Sequence, residues 1–177
     1  MSRWLVISDN HGDREILQRL RQQLKPDVIF HCGDSEMAAD DPWFNGVYAV
    51  QGNMDFASTL PQVLTPCVDG CQVLLTHGHH DRVNWDLTQL KLRADAAQAE
   101  AVFYGHTHQL TAEVVGGHLF VNPGSISQPR GEFQRLDGTC AVITVTADQW
   151  GVQYVTRDGQ PVPELEFTFA RSETQKG

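Results

Sequence analysis

Short apolar runs broken by polar, glycine-bearing clusters recur along the chain. Trp4–Ile7 reads as a buried strand that stops at Ser8-Asp9-Asn10-His11-Gly12. Ile16, Leu17, Leu20 and Leu24 then repeat at helical spacing, with Asp13 placed to cap the helix and Pro26 to stop it. Val28–Cys32 is a second run, ended by Gly33-Asp34, and Gly46–Val50 a third, ended by Gln51-Gly52-Asn53. This strand, helix, strand rhythm predicts a layered α/β domain.

The second half reads differently. Leu60–Pro66 and Cys71–Thr76 flank Val68-Asp69-Gly70, and Leu110–Val115 and Leu119–Val121 flank Gly116-Gly117. Both are hairpin signals. Thr139–Thr146 and Gly151–Thr156 predict a last hairpin around Asp148. Trp85–Ala97 reads as a helix with Leu87, Leu90 and Ala94 on one face, and Ala101–Tyr104 as a short strand ended by Gly105-His106-Thr107-His108. Parallel character early and hairpins late suit two mixed sheets packed face to face with helices outside, a four-layer α-β-β-α sandwich. The expected organisation is a single domain over 1–170, followed by a polar tail, 171–177, that frays from Ala170.

Composition narrows the function classes. The 177 residues are about one domain's length, and 41% hydrophobic with 20% charged residues is a globular composition. The formal charge of −9 argues against long nucleic acid and against an anionic membrane surface as partners. No run approaches a membrane span, and the N-terminal run is too short for a secretory signal. A cytoplasmic protein with reduced thiols is therefore expected. Cys67 and Cys71 lack a second pair at ligand spacing, so the four cysteines read as buried small hydrophobes.

The eight histidines change the picture. Five polar clusters close five apolar runs: Asp9-x-His11, Gly33-Asp34, Gly52-Asn53, His77-Gly78-His79 and Gly105-His106-Thr107-His108. Strand ends of a layered α/β domain converge on one rim, where ligands bind. Taken singly, each cluster is an ordinary turn or helix cap. Together they offer two carboxylates, one amide and at least four imidazoles, enough for two metals sharing a bridge. The adjacent glycines are read as sharp-turn residues.

These marks, with His31-Cys32-Gly33-Asp34 and Asn122-Pro123-Gly124-Ser125, resemble the calcineurin-like metallophosphoesterase superfamily. Within it they are similar to the small phosphodiesterases of the YfcE type. The resemblance runs from Trp4 to about Thr156. It implies the four-layer fold and hydrolysis of a small phosphodiester by a hydroxide bridging two divalent metals, with manganese first and nickel, iron or zinc as alternatives. Carried over by position, Asp9, His11 and His108 would hold one metal, Asn53, His77 and His106 the other, and Asp34 would bridge them.

Many superfamily members carry a proton-donating His after the Gly-Asn pair. Here Met54, which has no such proton, stands there, followed by Asp55. His79 is the candidate catalytic substitute; its plainer reading is a hydrogen bond that orients His77. Asn10 either contacts phosphate or holds its loop. His31 is expected to be buried and satisfied, His80 and His118 to be exposed, and Arg130 to be solvated. Trp43 and Phe44 line a pocket or pack beside it. Two other functions fit the same fold: a non-catalytic binding scaffold like the retromer subunit, and a nuclease or cyclic-nucleotide phosphodiesterase. All seven ligand positions are filled, which weighs against a degraded scaffold. The partners expected are a small phosphate-ester substrate and further copies of the chain in a homo-oligomer.

Overall fold

The computed structural model describes residues 1–174. Its first strand, β1 (Ser2–Ile7), is apolar on both faces because both are covered. Trp4 and Val6 point between two sheets, whereas Leu5 and Ile7 point outward onto α1 (Arg14–Leu24). That helix starts where expected: the Asp13 carboxylate accepts from Ile16 N at 3.1 Å, and Lys25 closes it in the left-handed region. Ile16, Leu17 and Leu20 form its buried face, an i, i+1, i+4 stripe set by the helical period.

β1 pairs in parallel with β2 (Val28–His31), which pairs in parallel with β3 (Val47–Ala49). The second sheet is built on β4 (Val63–Leu64), β5 (Cys67–Val68), β6 (Cys71–Thr76), β7 (Ala101–Phe103), β8 (Thr111–Val115) and β9 (His118–Asn122). Its order is β4-β6-β7-β9-β8, with β5 also on β6, and β6, β7 and β9 are parallel. The chain then returns to the first sheet with β10 (Thr139–Val145), β11 (Gln149–Thr156) and β12 (Pro161–Ala170), giving the order β12-β11-β10-β1-β2-β3. Helix α2 (Thr88–Ala97) covers the outer face of the second sheet through Leu90 and Ala94, against Leu74, Val102 and Phe120. The four layers are thus those expected.

Both predicted two-residue hairpin turns are present. Asp69 and Gly70 both have positive φ (52° and 77°), and so do Gly116 and Gly117 (57° and 87°). That is the conformation a tight hairpin needs to match the strand twist.

Four expectations change. The second helix begins at Thr88, not Trp85. Trp85 caps a turn on Arg82 O, and the Asp86 carboxylate accepts from Thr88 N; Trp85 is 87% exposed, off the packed face. Strand β12 is an element the sequence pattern did not point to; Pro161 and Pro163 interrupt its alternation. At the edge of a sheet, prolines cost no ladder bond, and Val162 and Leu165 still reach the core. The tail does not fray at Ala170. Arg171 pairs with Glu100 at 2.9 Å and lies over the Trp150 ring, and Trp150 Nε1 donates to Thr174 Oγ1. Residues 175–177 lie outside the described residues. Of the thiols, Cys67 is exposed rather than buried. Among the described residues no helix is long and apolar enough to cross a membrane.

Trp4 joins the two sheets. It is fully buried and packs on Phe30 and Trp150 of its own sheet and on Phe103 of the other. Its Nε1 donates to Asp69 in the β5–β6 turn at 2.9 Å. Trp4→Ala is expected to destabilise the protein by about 3–5 kcal/mol, the usual range for a large aromatic removed from a core. Urea denaturation measures this, and a loss below 1 kcal/mol would mean the two sheets are joined elsewhere.

Candidate metal centre

The loops after β1, β2, β3, β6 and β7 meet at one edge of the sandwich and bring all seven candidate ligands together. Asp9 leaves β1 in the left-handed region (φ 55°), as do His11, Asp34, His106 and His108. These are residues that pay a steric cost for that geometry, so the surrounding contacts must impose it. Asp9 N donates to Gly33 O and His11 N to Asp34 O, which lace the first loop to the second.

Buried side chains complete the frame. Ser125 Oγ donates to Asp9 O at 2.7 Å, and Asn122 Nδ2 donates to Gly105 O and Thr107 Oγ1. The Asn-Pro-Gly-Ser loop therefore holds the Asp9 and His106–His108 loops together. Asn10 is fully buried, donates to Ser35 O and accepts from His31 Nε2; it holds its loop. Gly33 and Gly78 take positive φ (both 98°), the sharp turns expected, whereas Gly52 and Gly105 serve through close approach. A Cβ at Gly52 would lie 2.0 Å from Asp34 Oδ1, and one at Gly105 would lie 2.2 Å from Ser8 Oγ.

The imidazoles are oriented from behind. His11 Nδ1 lies 2.6 Å from Glu36 Oε1, His108 Nδ1 2.7 Å from Gln128 O, and His77 Nδ1 2.7 Å from Cys32 O. Each acceptor takes the Nδ1 proton and leaves the Nε2 lone pair facing inward. His106 is turned the other way: Nδ1 sits 2.9 Å from Asn53 Oδ1, and Nε2 contacts the Asn84 amide at 2.8 Å.

The inward atoms form two adjoining groups. Ligand atoms of Asp9, His11, Asp34 and His108 all lie within 4.8 Å of one another. His77 Nε2 is 3.0 Å from Asn53 Oδ1 and 3.3 Å from Asp34 Oδ2. Asp34 is therefore shared. The Nε2 atoms of His11 and His108 face each other at 3.3 Å, and Asp9 Oδ1, fully buried, has no hydrogen-bond partner even though His108 Nε2 is 3.2 Å away. Lone pairs and an orphaned carboxylate oxygen converge with no Lys or Arg paired to them among the described residues, an arrangement that could hold a cation. The donor set of oxygens and imidazoles fits a divalent transition metal. Asn53 is exposed and His106 half-buried, so the second group opens to solvent.

Charge and burial compete here. Without a cation, a proton on His77 Nε2 competes with the lone-pair state: burial works to raise Asp34, but the hydrogen bond from that protonated ring and its charge hold Asp34 below the usual carboxylate range. Burial works to lower His77, and Asp34 and Asp9 outweigh it and raise it. His106 is lowered by burial and by His77.

The remaining histidines divide. His31 is buried and satisfied, as expected. His118 is not exposed: it is 7% accessible and bridges Ala99 O and Asp95. His80 is exposed, and so is Arg130. His79 is half-buried, 5.3 Å ring to ring from His77. It does not orient His77, since Cys32 O does, and burial with the His77 charge pushes it down to about 4. Trp43 packs in the core beside His31, with Phe44 against it.

Asp55 carries a role the sequence reading missed. Its carboxylate, 4% exposed, accepts from Asp34 N (2.9 Å), Gly52 N (2.8 Å), Glu36 N (2.7 Å) and Ser35 Oγ (3.3 Å). It thus fixes the shared Asp34, the approach to Asn53, and the Glu36 that orients His11. The only sequence signal was an acid two residues after Asn53.

A family model described as the calcineurin-like phosphoesterase superfamily domain matches residues 3–148. The chain is 34% identical over 164 residues to the probable metallophosphoesterase YsnB of Bacillus subtilis, covering 92% of this chain and 95% of that protein. A crystal structure of a predicted phosphoesterase from Streptococcus pneumoniae superposes with a TM-score of 0.90 at 36% identity, over 96% of this chain and 97% of that one. Vps29 of Entamoeba histolytica, crystallised with Zn2+, superposes at 0.67 with 20% identity over 96% and 99% of the two chains, a likeness of fold. The chain belongs to the calcineurin-like phosphoesterase superfamily.

Two outcomes follow from this geometry. Asp55→Asn keeps the shape but presents an amide to three N–H donors; it is expected to weaken divalent-metal binding by about 10–100-fold, the usual cost of losing an outer support. Isothermal titration of the folded variant with Mn2+ reads this, and wild-type affinity would remove Asp55 from the role. His31 is pushed down from 6.5 to about 4, chiefly by burial. The unfolded chain therefore takes a proton that the native one refuses, and stability is lost as pH falls from 6.5 towards 4, by about 3 kcal/mol in all. Urea midpoints of the metal-free protein should fall more steeply over that range than those of His31→Gln; parallel curves would contradict it.

Proposed function

We propose that this protein is a metal-dependent phosphoesterase that hydrolyses a small phosphodiester. The observation that carries the reading is the buried Asp9 oxygen without a partner, surrounded by imidazole lone pairs held open by Glu36, Gln128 and Cys32. Asp9, His11 and His108 are assigned to one divalent ion, Asn53, His77 and His106 to a second, and Asp34 to both. Bound there, such ions supply Lewis-acid activation of water and neutralise phosphoryl charge. The chain's own part is to present these ligands preset and to keep one side open for the ester. Manganese, nickel, iron and zinc all suit this oxygen and imidazole set, with manganese the first to test.

His79 is the candidate group facing the departing ester oxygen. Held down to about 4, it is neutral at pH 7 and acts there as a hydrogen-bond partner rather than a ready acid. The exposed free thiol of Cys67 suits a reducing cytoplasm. The net charge of −9 favours small esters over long nucleic acid. A binding scaffold is the competing function for this fold, and the complete ligand set speaks against it.

Hydrolysis of a chromogenic diester is expected to require added Mn2+ and to fall by more than about 100-fold in Asp34→Ala and His108→Ala. Single-stranded DNA at physiological salt should remain uncut. Undiminished activity of both variants after chelation would overturn the reading. Two bound metals without turnover of any phosphoester would favour the scaffold.

A further inference from the structure

A groove of about 720 Å³ runs beside the metal centre between the segment after Asp34 and the segment after Asn53. No candidate ligand lines it, but each wall carries a residue hydrogen-bonded to one. Glu36, on one wall, holds His11, and Met54, on the other, donates its backbone N–H to Asp34 Oδ1 at 2.8 Å. A molecule whose phosphoryl group sits at the ligands therefore has this groove as its neighbouring space.

The lining is mostly apolar. Met37, Met54 and Phe56 contribute large side chains, and no Lys or Arg takes part. Phe56 is 83% exposed and Met54 38%. Their loop is not slack: Asp55 beside them is buried, Ser58 N donates to Asp55 O, and Gln51 Nε2 donates to the same carbonyl. A pinned loop that presents an aromatic ring to water at the mouth of an apolar groove has the make-up of a ligand pocket. The charged groups in the lining are all acids, Glu36, Asp40 and Asp55. Asp55 is consumed by its backbone donors, while Glu36 and Asp40 are exposed. A second phosphate or a carboxylate entering the groove would meet these negative charges without a cation to offset them.

On the strength of the phosphoesterase reading above, we propose that this groove is the subsite for one ester group of the substrate, and that it selects an apolar, planar, uncharged group. Phe56 stacks on that group, and Met54 and Met37 adapt to its outline. The substrate class is then a phosphate ester of an aromatic or similarly flat alcohol, and polyphosphates and bisphosphates are excluded.

The test is calorimetric titration of manganese-loaded protein with three phosphonates: methyl, phenyl and 4-carboxyphenyl. All bring the same phosphoryl headgroup to the metals and differ only in what enters the groove. Phenylphosphonate is expected to bind roughly tenfold more tightly than methylphosphonate, from the added aromatic contact. The 4-carboxyphenyl compound should bind severalfold more weakly than phenyl. Phe56→Ala should erase the phenyl advantage and leave methylphosphonate unchanged; Phe56 is exposed, so the variant folds. Equal binding of methyl and phenyl compounds, or a phenyl advantage that survives Phe56→Ala, overturns the subsite and leaves the phosphoesterase reading standing. Failure of all three to bind the metal-loaded protein overturns both.

Discussion

Two carboxylates, Asp9 and Asp34, are buried side by side with no Lys or Arg paired to either among the described residues. Burying charge without a counter-charge is among the most costly things a fold can do. His77 can offset part of it by taking a second proton, but three of the rings give their Nδ1 proton to an outer acceptor and, when neutral, turn a lone pair inward. The rest of the site is organised around this excess of negative charge and lone pairs. Such an arrangement fits bound cations, and metal binding there would be coupled to the stability of this edge.

The architecture makes such a site affordable by moving its strain onto rigid neighbours. β1, β2 and β3 run parallel in one sheet and β6 and β7 in the other, so five loops leave at one edge. Five of the ligand candidates then adopt left-handed backbone, a conformation costing of order 1 kcal/mol each for a residue with a side chain. That cost is met by packing beneath, where Trp4 locks the sheets together, and by polar clamps around the rim. Asp55, Ser125 and Asn122 are those clamps. None of them points at the ligand space; each fixes backbone that does.

How far the sequence could be read follows from the range of each interaction. The α1 stripe, its Asp13 cap and the Asp69-Gly70 turn are local, and they sit where the pattern puts them. The seven ligand candidates were also visible, since each closes an apolar run. What was hidden depends on groups far apart in the chain. The acceptors that orient His77 and His108 are main-chain carbonyls of Cys32 and Gln128, which any residue supplies and no motif marks. Asp55 gathers donors from residues 34–36 and from Gly52, and His118 is buried only because Asp95 and Ala99 come round to meet it. β12 was masked by prolines that an edge position tolerates, and Arg171–Thr174 is held by Glu100 and Trp150, both outside its own segment. The glycines at 52 and 105 were visible but misread: their lack of a side chain, rather than their dihedral freedom, admits the neighbouring ligands.

Acidic composition and phosphate chemistry look opposed until the charge is placed. The overall −9 includes the buried Asp9, Asp34, Asp55 and Asp81; the remaining acids lie nearer the surface, where charge is screened within about 8 Å at physiological salt. On the proposed reading, a phosphoryl group close to bound divalent ions would experience those ions first. A long polyanion must also lie across the surrounding acids, and each further phosphate adds repulsion without gaining a metal. The same logic applies at shorter range in the groove, where Glu36 and Asp40 stand beside apolar walls. On the proposed reading, attraction would then be confined to one phosphate's reach, and the surrounding acids would disfavour longer polyanions.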